Sequence, residues 1–448
     1  MKRGAAREGM VASQLSRRSH TGSHQNGGMI AQNTDSRGEL TANVSVVIPT
    51  YNDPHFLVYA IRSVQAQTYR DFEIIVVDDG STGETKAVVS EFGGDLRYIR
   101  QENLGAAAAR NTGILAARGK YVAFLDSDDL WLPTYLESMF SMVSQYPDAG
   151  VIYSCARYID ENGRELPQLV SLQKVTPDAT RATLLRANFL IPSAIMVRRD
   201  VVLTAGLFDE RLGSHCPDWD LWLRLARTQT FVHHPHCLVR YRLHDGSLSV
   251  DIAGMHRGAL MVIEKHFGPD DARRDSWSNQ KRRAYGALYV YQALTTLLHR
   301  KLWEHCALYL RNALQCDRSL VTDLDLFYEL ALGTQPLGHR GTGFQLNLEE
   351  NATALKRVLV DVFGPLAGAE WQSLRQRALG TAYYALGLVA YNTGRRAPSR
   401  RFLLEALRYQ PRYWRDRRVL GTMARSLVSG SALDRMKRAR DFVTQACA

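Results

Sequence analysis

Tyr121-Val122-Ala123-Phe124-Leu125-Asp126-Ser127-Asp128-Asp129 sets five consecutive apolar residues directly against a cluster of carboxylates. The apolar run reads as a short strand buried on both faces. Asp126 and Asp128, two residues apart at the strand end, can reach one ligand where the chain turns. Hard oxygen donors of this kind suit Mg2+ or Mn2+, ions that bridge diphosphate oxygens. An isolated acidic turn reads equally well as a helix cap, so the surroundings decide.

Upstream, the same pattern occurs twice. Val44-Ser45-Val46-Val47-Ile48 ends in Pro49-Thr50-Tyr51-Asn52, a turn signal. Phe72-Glu73-Ile74-Ile75-Val76-Val77 ends in Asp78-Asp79-Gly80-Ser81. Between the runs, Phe56, Leu57, Ala60, Ile61 and Val64 keep helical spacing, and helices are expected over Thr85–Phe92 and Ala106–Ala117 around a short strand Leu96–Arg100. This rhythm predicts an α/β fold, a mostly parallel sheet flanked by helices. Ligands of such sheets bind beyond the carboxyl ends of the strands, which puts Tyr51, Asp79, Asp126 and Asp128 on one rim.

Downstream, Cys216-Pro217-Asp218-Trp219-Asp220-Leu221-Trp222 reads as a helix start, with Pro217 in the first turn. One carboxylate there suits the helix dipole, and the other is available for acid–base work; Asp218 is the candidate base. Tyr241-Arg242-Leu243-His244 follows an apolar stretch. His244 reads as a metal ligand or diphosphate contact and Arg242 as a phosphate partner, though a single loop histidine is more often incidental.

From Val44 to about Ser249 these pieces, in this order, resemble glycosyltransferase family 2, which has the GT-A fold. Further matching segments are Asn103-Leu104-Gly105, Ala109-Arg110-Asn111 and Gly206-Leu207-Phe208-Asp209-Glu210. The resemblance implies a nucleotide-sugar site formed by Pro49, Tyr51, Asp79, Arg110 and Asp126. It implies a divalent metal, Mg2+ or Mn2+, on Asp128 with His244 beside the diphosphate, and Asp218 as the catalytic base of an inverting transfer. A UDP-sugar donor and a saccharide or lipid-linked acceptor in cell-surface polysaccharide or glycolipid synthesis follow from the same resemblance. One departure is Pro217 where the family usually has Glu before the basic Asp.

The chain has 448 residues, 45% hydrophobic and 23% charged, enough for two or three domains. The expected division is 1–43 disordered, 44–265 the transferase domain and 266–448 an all-α helical-hairpin region. Tyr383, Leu386, Gly387, Gly394, Leu403, Ala406 and Pro411 match most of the tetratricopeptide pattern, with no clean recurrence at its period of about 34 residues. No apolar run approaches the roughly 20 residues of a membrane span. Lys2, Arg3 and Arg7 lack a following apolar core, so a cytoplasmic protein is expected.

None of the six cysteines forms a CxxC pair, and unpaired thiols are expected. Residues 371–448 hold 16 Lys and Arg against 4 Asp and Glu, so they account for the chain's net charge of +11. That basic segment suggests peripheral contact with the inner face of the plasma membrane, or simply a solvated helix surface. It lacks any nucleic-acid reader motif, and no nucleic-acid partner is expected. The rival reading is a transferase-fold scaffold of little activity whose helices recruit a protein partner.

Overall fold

The structure is a computed structural model that describes residues 42–93, 96–170, 175–271 and 274–427. The expectation of disorder over 1–43 therefore lies almost wholly outside the described residues, as does the end of the basic segment. The strands are β1 (Val44–Thr50), β2 (Phe72–Asp78), β3 (Leu96–Arg100), β4 (Tyr121–Phe124), β5 (Leu130–Trp131), β6 (Ala149–Ile159), β7 (Glu165–Val170), β8 (Ile195–Arg198) and β9 (Thr230–Arg242). Helices α1 (Pro54–Gln65), α2 (Thr85–Ser90), α3 (Ala106–Ala116), α4 (Tyr135–Gln145), α5 (Thr180–Leu184), α6 (Arg199–Thr204) and α7 (Pro217–Leu225) are interleaved with them. An all-helical stretch follows: α8 (Ile252–Phe267), α9 (Asn279–Arg300), α10 (Trp303–Cys316), α11 (Leu324–Leu332), α12 (Leu348–Phe363), α13 (Ala369–Asn392), α14 (Arg396–Tyr409) and α15 (Arg417–Leu427).

One sheet runs β3-β2-β1-β4-β8-β6-β9-β5, with β7 on the edge of β6. The first four strands are parallel. Beyond them the sheet becomes mixed: β8 is antiparallel to β4 and to β6, while β9 runs parallel to β6. The parallel expectation thus describes the half of the sheet built from β1 to β4. Alternate residues of each strand point to opposite faces. Val47, Ile75, Val77, Val122 and Phe124 enter one core, and Val46, Ile48, Ile74, Val76 and Ala123 enter the other. Burial on both faces is why these strands read as unbroken apolar runs.

Helix α1 starts at Asp53, which caps Phe56 N at 3.3 Å, with Pro54 in the first turn. Helix α3 lies against β1 at Gly113, where an added Cβ would sit 2.3 Å from Val47 Cγ1. Only glycine permits that approach. The chain moves outward from β1 to β3 and returns to β4 on the other side of β1. The carboxyl ends of β1 and β4 therefore border the crevice at the point where strand order reverses.

The first core continues without a break into Ala259, Val262 and Ile263 of α8 and Tyr285 and Leu288 of α9. The expected boundary at 265/266 falls inside α8, and α8 with the first half of α9 packs into the sheet's core, while Ala293, Leu310, Phe327, Leu359 and Leu386 form a separate core among the later helices. Farther on, α13 and α14 form a helical hairpin. Gly387 lets Leu403 approach to within 2.8 Å of where its Cβ would be, and the buried Ser399 donates its hydroxyl to Gly387 O at 2.9 Å.

Two cysteines depart from expectation. Cys155 and Cys237 face each other on the paired strands β6 and β9 and form a disulfide. Sequence spacing missed it because 82 residues separate the partners. Pairing of β6 with β9 brings the two thiols together, so the expectation of unpaired thiols fails for these two. Cys216, Cys306 and Cys316 are free and buried.

Candidate active site

Two rim turns are stitched together at the ends of β1 and β2. Asn52 N donates to Ser81 Oγ at 2.9 Å, and Thr82 N donates to Asn52 Oδ1 at 2.9 Å. Pro49 is buried within β1, whereas Tyr51 stands 48% exposed, an aromatic face open to a stacking partner. Asp78 is structural: it accepts from Ser81 N at 2.8 Å and from the Tyr98 hydroxyl. Asp79 accepts from Gln101 Nε2 at 2.7 Å, Leu104 N at 3.0 Å and Gly105 N at 2.8 Å. A carboxylate offers about four acceptor sites, so one remains for a ligand donor.

Arg110 of α3 is buried behind the acidic turn. Its Nη2 meets Asp126 Oδ1 at 2.5 Å. Burial opposes its charge, but the fields of Asp126, Asp218 and Asp128 outweigh burial and raise its pKa. Asp218 senses the charge of Arg110. Burial pushes its carboxyl upward, Arg110 and Asn188 pull it back, and Asp126 adds to the rise. Arg110 is thus bonded to the acidic turn, and its field reaches Asp218 at the start of α7.

His244 Nε2 lies 3.0 Å from Asp128 Oδ2, and that hydrogen bond raises the histidine pKa. Two ligands side by side on an ion with bonds of about 2.1 Å are also about 3 Å apart, so this pair fits a shared Mg2+ or Mn2+. Among the described residues no group of three or more His, Cys, Asp or Glu is placed to hold a metal alone. A small donor set is what Mg2+ tolerates when substrate phosphates and water complete its shell.

Arg242 is not a phosphate partner. Its Nε donates to Asp128 O at 2.8 Å, its Nη1 donates to Glu161 O at 2.9 Å, and it lies 4.6 Å over the Phe56 ring. It braces the backbone of the acidic turn. Asp129, 1% exposed, accepts from Arg242 N at 3.0 Å and from Ser193 Oγ at 2.5 Å. Burial, with Asp128 and Asp126 nearby, raises its pKa well above its ordinary value. Ser193 also accepts from Asp126 N at 3.0 Å. Asp53 joins the group through Ser127, whose hydroxyl donates to Asp53 Oδ2 at 3.0 Å.

Residues 45–204 match the profile of Glycosyl transferase family 2. An uncharacterized glycosyltransferase of Methanocaldococcus jannaschii is 33% identical over 207 residues, covering 45% of this chain and 70% of that protein. This chain belongs to glycosyltransferase family 2. An uncharacterized glycosyltransferase of Rickettsia prowazekii is 33% identical over 212 residues, 45% of this chain and 64% of its own length. A Rickettsia bellii relative, 32% identical over 206 residues, is covered over only 30% of its length. The chain therefore spans less than two thirds of these Rickettsia proteins. The structure of S. aureus TarS 1–349 in complex with UDP-GlcNAc aligns with a TM-score of 0.44 at 16% identity, covering 83% of this chain and 92% of that one.

In this family 2 chain, contacts around Phe208 set the Asp218 helix. Asn111 Oδ1 accepts from Phe208 N at 2.9 Å and its Nδ2 donates to Phe208 O at 3.0 Å. Gly206 (φ 85) and Leu207 (φ 63) turn the chain there in the left-handed region. Arg224 holds that turn by donating to Ala205 O and Leu207 O, and its Nε meets Asp220 Oδ2 at 2.9 Å. Cys216, in the left-handed region at φ 60, delivers the chain into Pro217 and Asp218. Asn111, Asp129, Asn188 and Ser193 were missed as parts of the site, because each acts on a partner distant in sequence. Asp53 was missed because a residue before proline reads as a helix cap.

Proposed function

We propose that the chain is an inverting, metal-dependent glycosyltransferase that moves a sugar from a nucleotide-sugar donor to an acceptor hydroxyl. The observation that supports this most is the buried Arg110, held by Asp126 and under the fields of both Asp128 and Asp218. Reach of one cation to both the acidic turn and Asp218 is what supports a single displacement between them.

In this reading Tyr51 stacks on the base, Pro49 lines its edge and Asp79 accepts from base or ribose. Asp126 and Arg110 lie against ribose and sugar. Asp128 and His244 would hold the divalent ion, which stabilises charge on the diphosphate leaving group when bound. Asp218 takes the proton from the acceptor hydroxyl as that oxygen attacks the anomeric carbon. Its raised pKa brings it closer to working pH, where a carboxylate is a better base. Attack opposite the leaving diphosphate inverts the anomeric centre.

For the remaining chain we propose peripheral contact with anionic lipid. Trp414, 55% exposed, stands among the exposed Arg412, Arg415, Arg417 and Arg418. An aromatic among cations suits a lipid headgroup surface. The α13–α14 hairpin is tetratricopeptide-like in its small-residue contact at Gly387 and Ser399. No helix among the described residues is long and apolar enough to cross a membrane.

The test is release of nucleotide diphosphate from a panel of UDP-, dTDP- and GDP-sugars, with mass detection of the transferred sugar. Transfer from one donor by the wild type, lost in Asp218→Asn with nucleotide binding kept, is the expected result. Undiminished transfer by Asp218→Asn overturns the assignment.

A further inference from the structure

We infer that Asn188 is the positioning residue of the base: its amide fixes the Asp218 carboxylate so that one oxygen is left for the acceptor hydroxyl. The inference rests on the reading of Asp218 as that base. Asn188 Nδ2 donates to Asp218 Oδ2 at 2.8 Å, while Asn188 Oδ1 accepts from Leu190 N at 3.3 Å. The two contacts together decide which way the amide faces. Turned over, it would set its oxygen against a carboxylate and its NH2 against an N–H, and both contacts would repel.

A local turn accounts for the bond to Leu190 alone. It does not require the other end of the amide to reach across to α7. That reach matters because a carboxylate on the first turn of a helix can swing between rotamers, and a base is effective only when its oxygen is held within hydrogen-bond reach of the proton it takes. The helix itself is fixed nearby: Trp219 Nε1 donates to Leu184 O at 2.7 Å, at the end of the short helix that precedes Asn188. In the same loop, Ser193 bonds both Asp126 and Asp129. One loop therefore bonds both Asp218 and the acidic turn, and Asn188 is its contact on the base side. Asn188 itself is exposed, so its amide is there to orient a neighbour and not to fill a core.

The test uses the purified full chain with Asn188→Ala and Asn188→Asp beside Asp218→Asn, on the same sugar-nucleotide panel. It reads kcat and donor KM for nucleotide-diphosphate release across about pH 5–9. Asn188→Ala is expected to lose about tenfold or more in kcat with donor KM held within about twofold, because the donor side is untouched. Its acid limb should move to higher pH, since a donor to the ionised carboxylate is gone. Asn188→Asp should move that limb further by placing a second carboxylate beside the first. Two results overturn the inference while leaving the base in place: Asn188→Ala with wild-type kcat and an unmoved acid limb when Asp218→Asn is inactive, or a kcat loss with no movement of the limb. Full activity of Asp218→Asn, or no turnover of any donor by the wild type, instead sinks the base reading and Asn188 with it.

Discussion

Asn111 grips both ends of the Phe208 residue, taking its N–H at 2.9 Å and giving to its C=O at 3.0 Å. The same amide donates to Glu210 Oε1 at 2.9 Å. One side chain on α3 thereby fixes the turn that leads into the Asp218 helix.

Asn111→Ala leaves a buried N–H and C=O without partners and should cost about 2–3 kcal/mol of stability. Urea unfolding of the full chain reads this directly. Transfer should fall as well, because the path from Phe208 to Asp218 loses its anchor. A midpoint within error of wild type would show that the clamp is dispensable.

Acid stability should depend on Asp220. Burial would raise its carboxyl, but bonds to His266 and Lys265 and the charge of Arg224 hold it down at about 2 against an ordinary 3.8. A carboxyl lowered by folding stabilises the native state fully above its unfolded pKa and loses that contribution as pH falls toward the folded one. The shift corresponds to about 2 kcal/mol. Asp220→Asn should therefore be less stable at neutral pH, with the difference closing between about pH 4 and pH 2. Thermal melts across that range check it, and a difference independent of pH would count against the ion cluster.

Reduction should weaken the sheet. The Cys155–Cys237 bond closes a loop of 82 residues between β6 and β9, and such bridges typically contribute about 2–4 kcal/mol. Melting with and without a phosphine reductant, and with Cys155→Ala, should show matching losses. Free-thiol counting that finds both cysteines reduced in the native protein would remove the bond from the account.

Metal coupling should run through His244. In the wild type Mn2+ should tighten UDP binding, measured by calorimetry without turnover. His244→Ala should weaken that coupling about tenfold or more, by analogy with losses around metal ligands. Unchanged coupling would take His244 out of the ion's reach.

Much of the catalytic half was legible in the sequence for a physical reason. Strands β1, β2 and β4 are buried on both faces, so each reads as an apolar run closed by a polar turn, and the rim residues follow from those ends. Arg242 misled because an exposed phosphate ligand and a buried brace have the same side chain; only Asp128 O and Glu161 O tell them apart. The Cys155–Cys237 bond and the Asn188–Asp218 pair depend on which strands and loops become neighbours, and local periodicity carries no record of that. The exact place where one core gives way to the next is of the same kind, since Val262 and Tyr285 share a core across 265/266 while Ala293 belongs to the next one.

The most direct measurement is anomalous diffraction from crystals grown with UDP and Mn2+. A manganese peak between Asp128 Oδ2 and His244 Nε2, on the UDP diphosphate, with Asp218 lining the same cavity, is the predicted result. Manganese and UDP bound away from these residues, or Asp218 walled off from the nucleotide, would contradict the account.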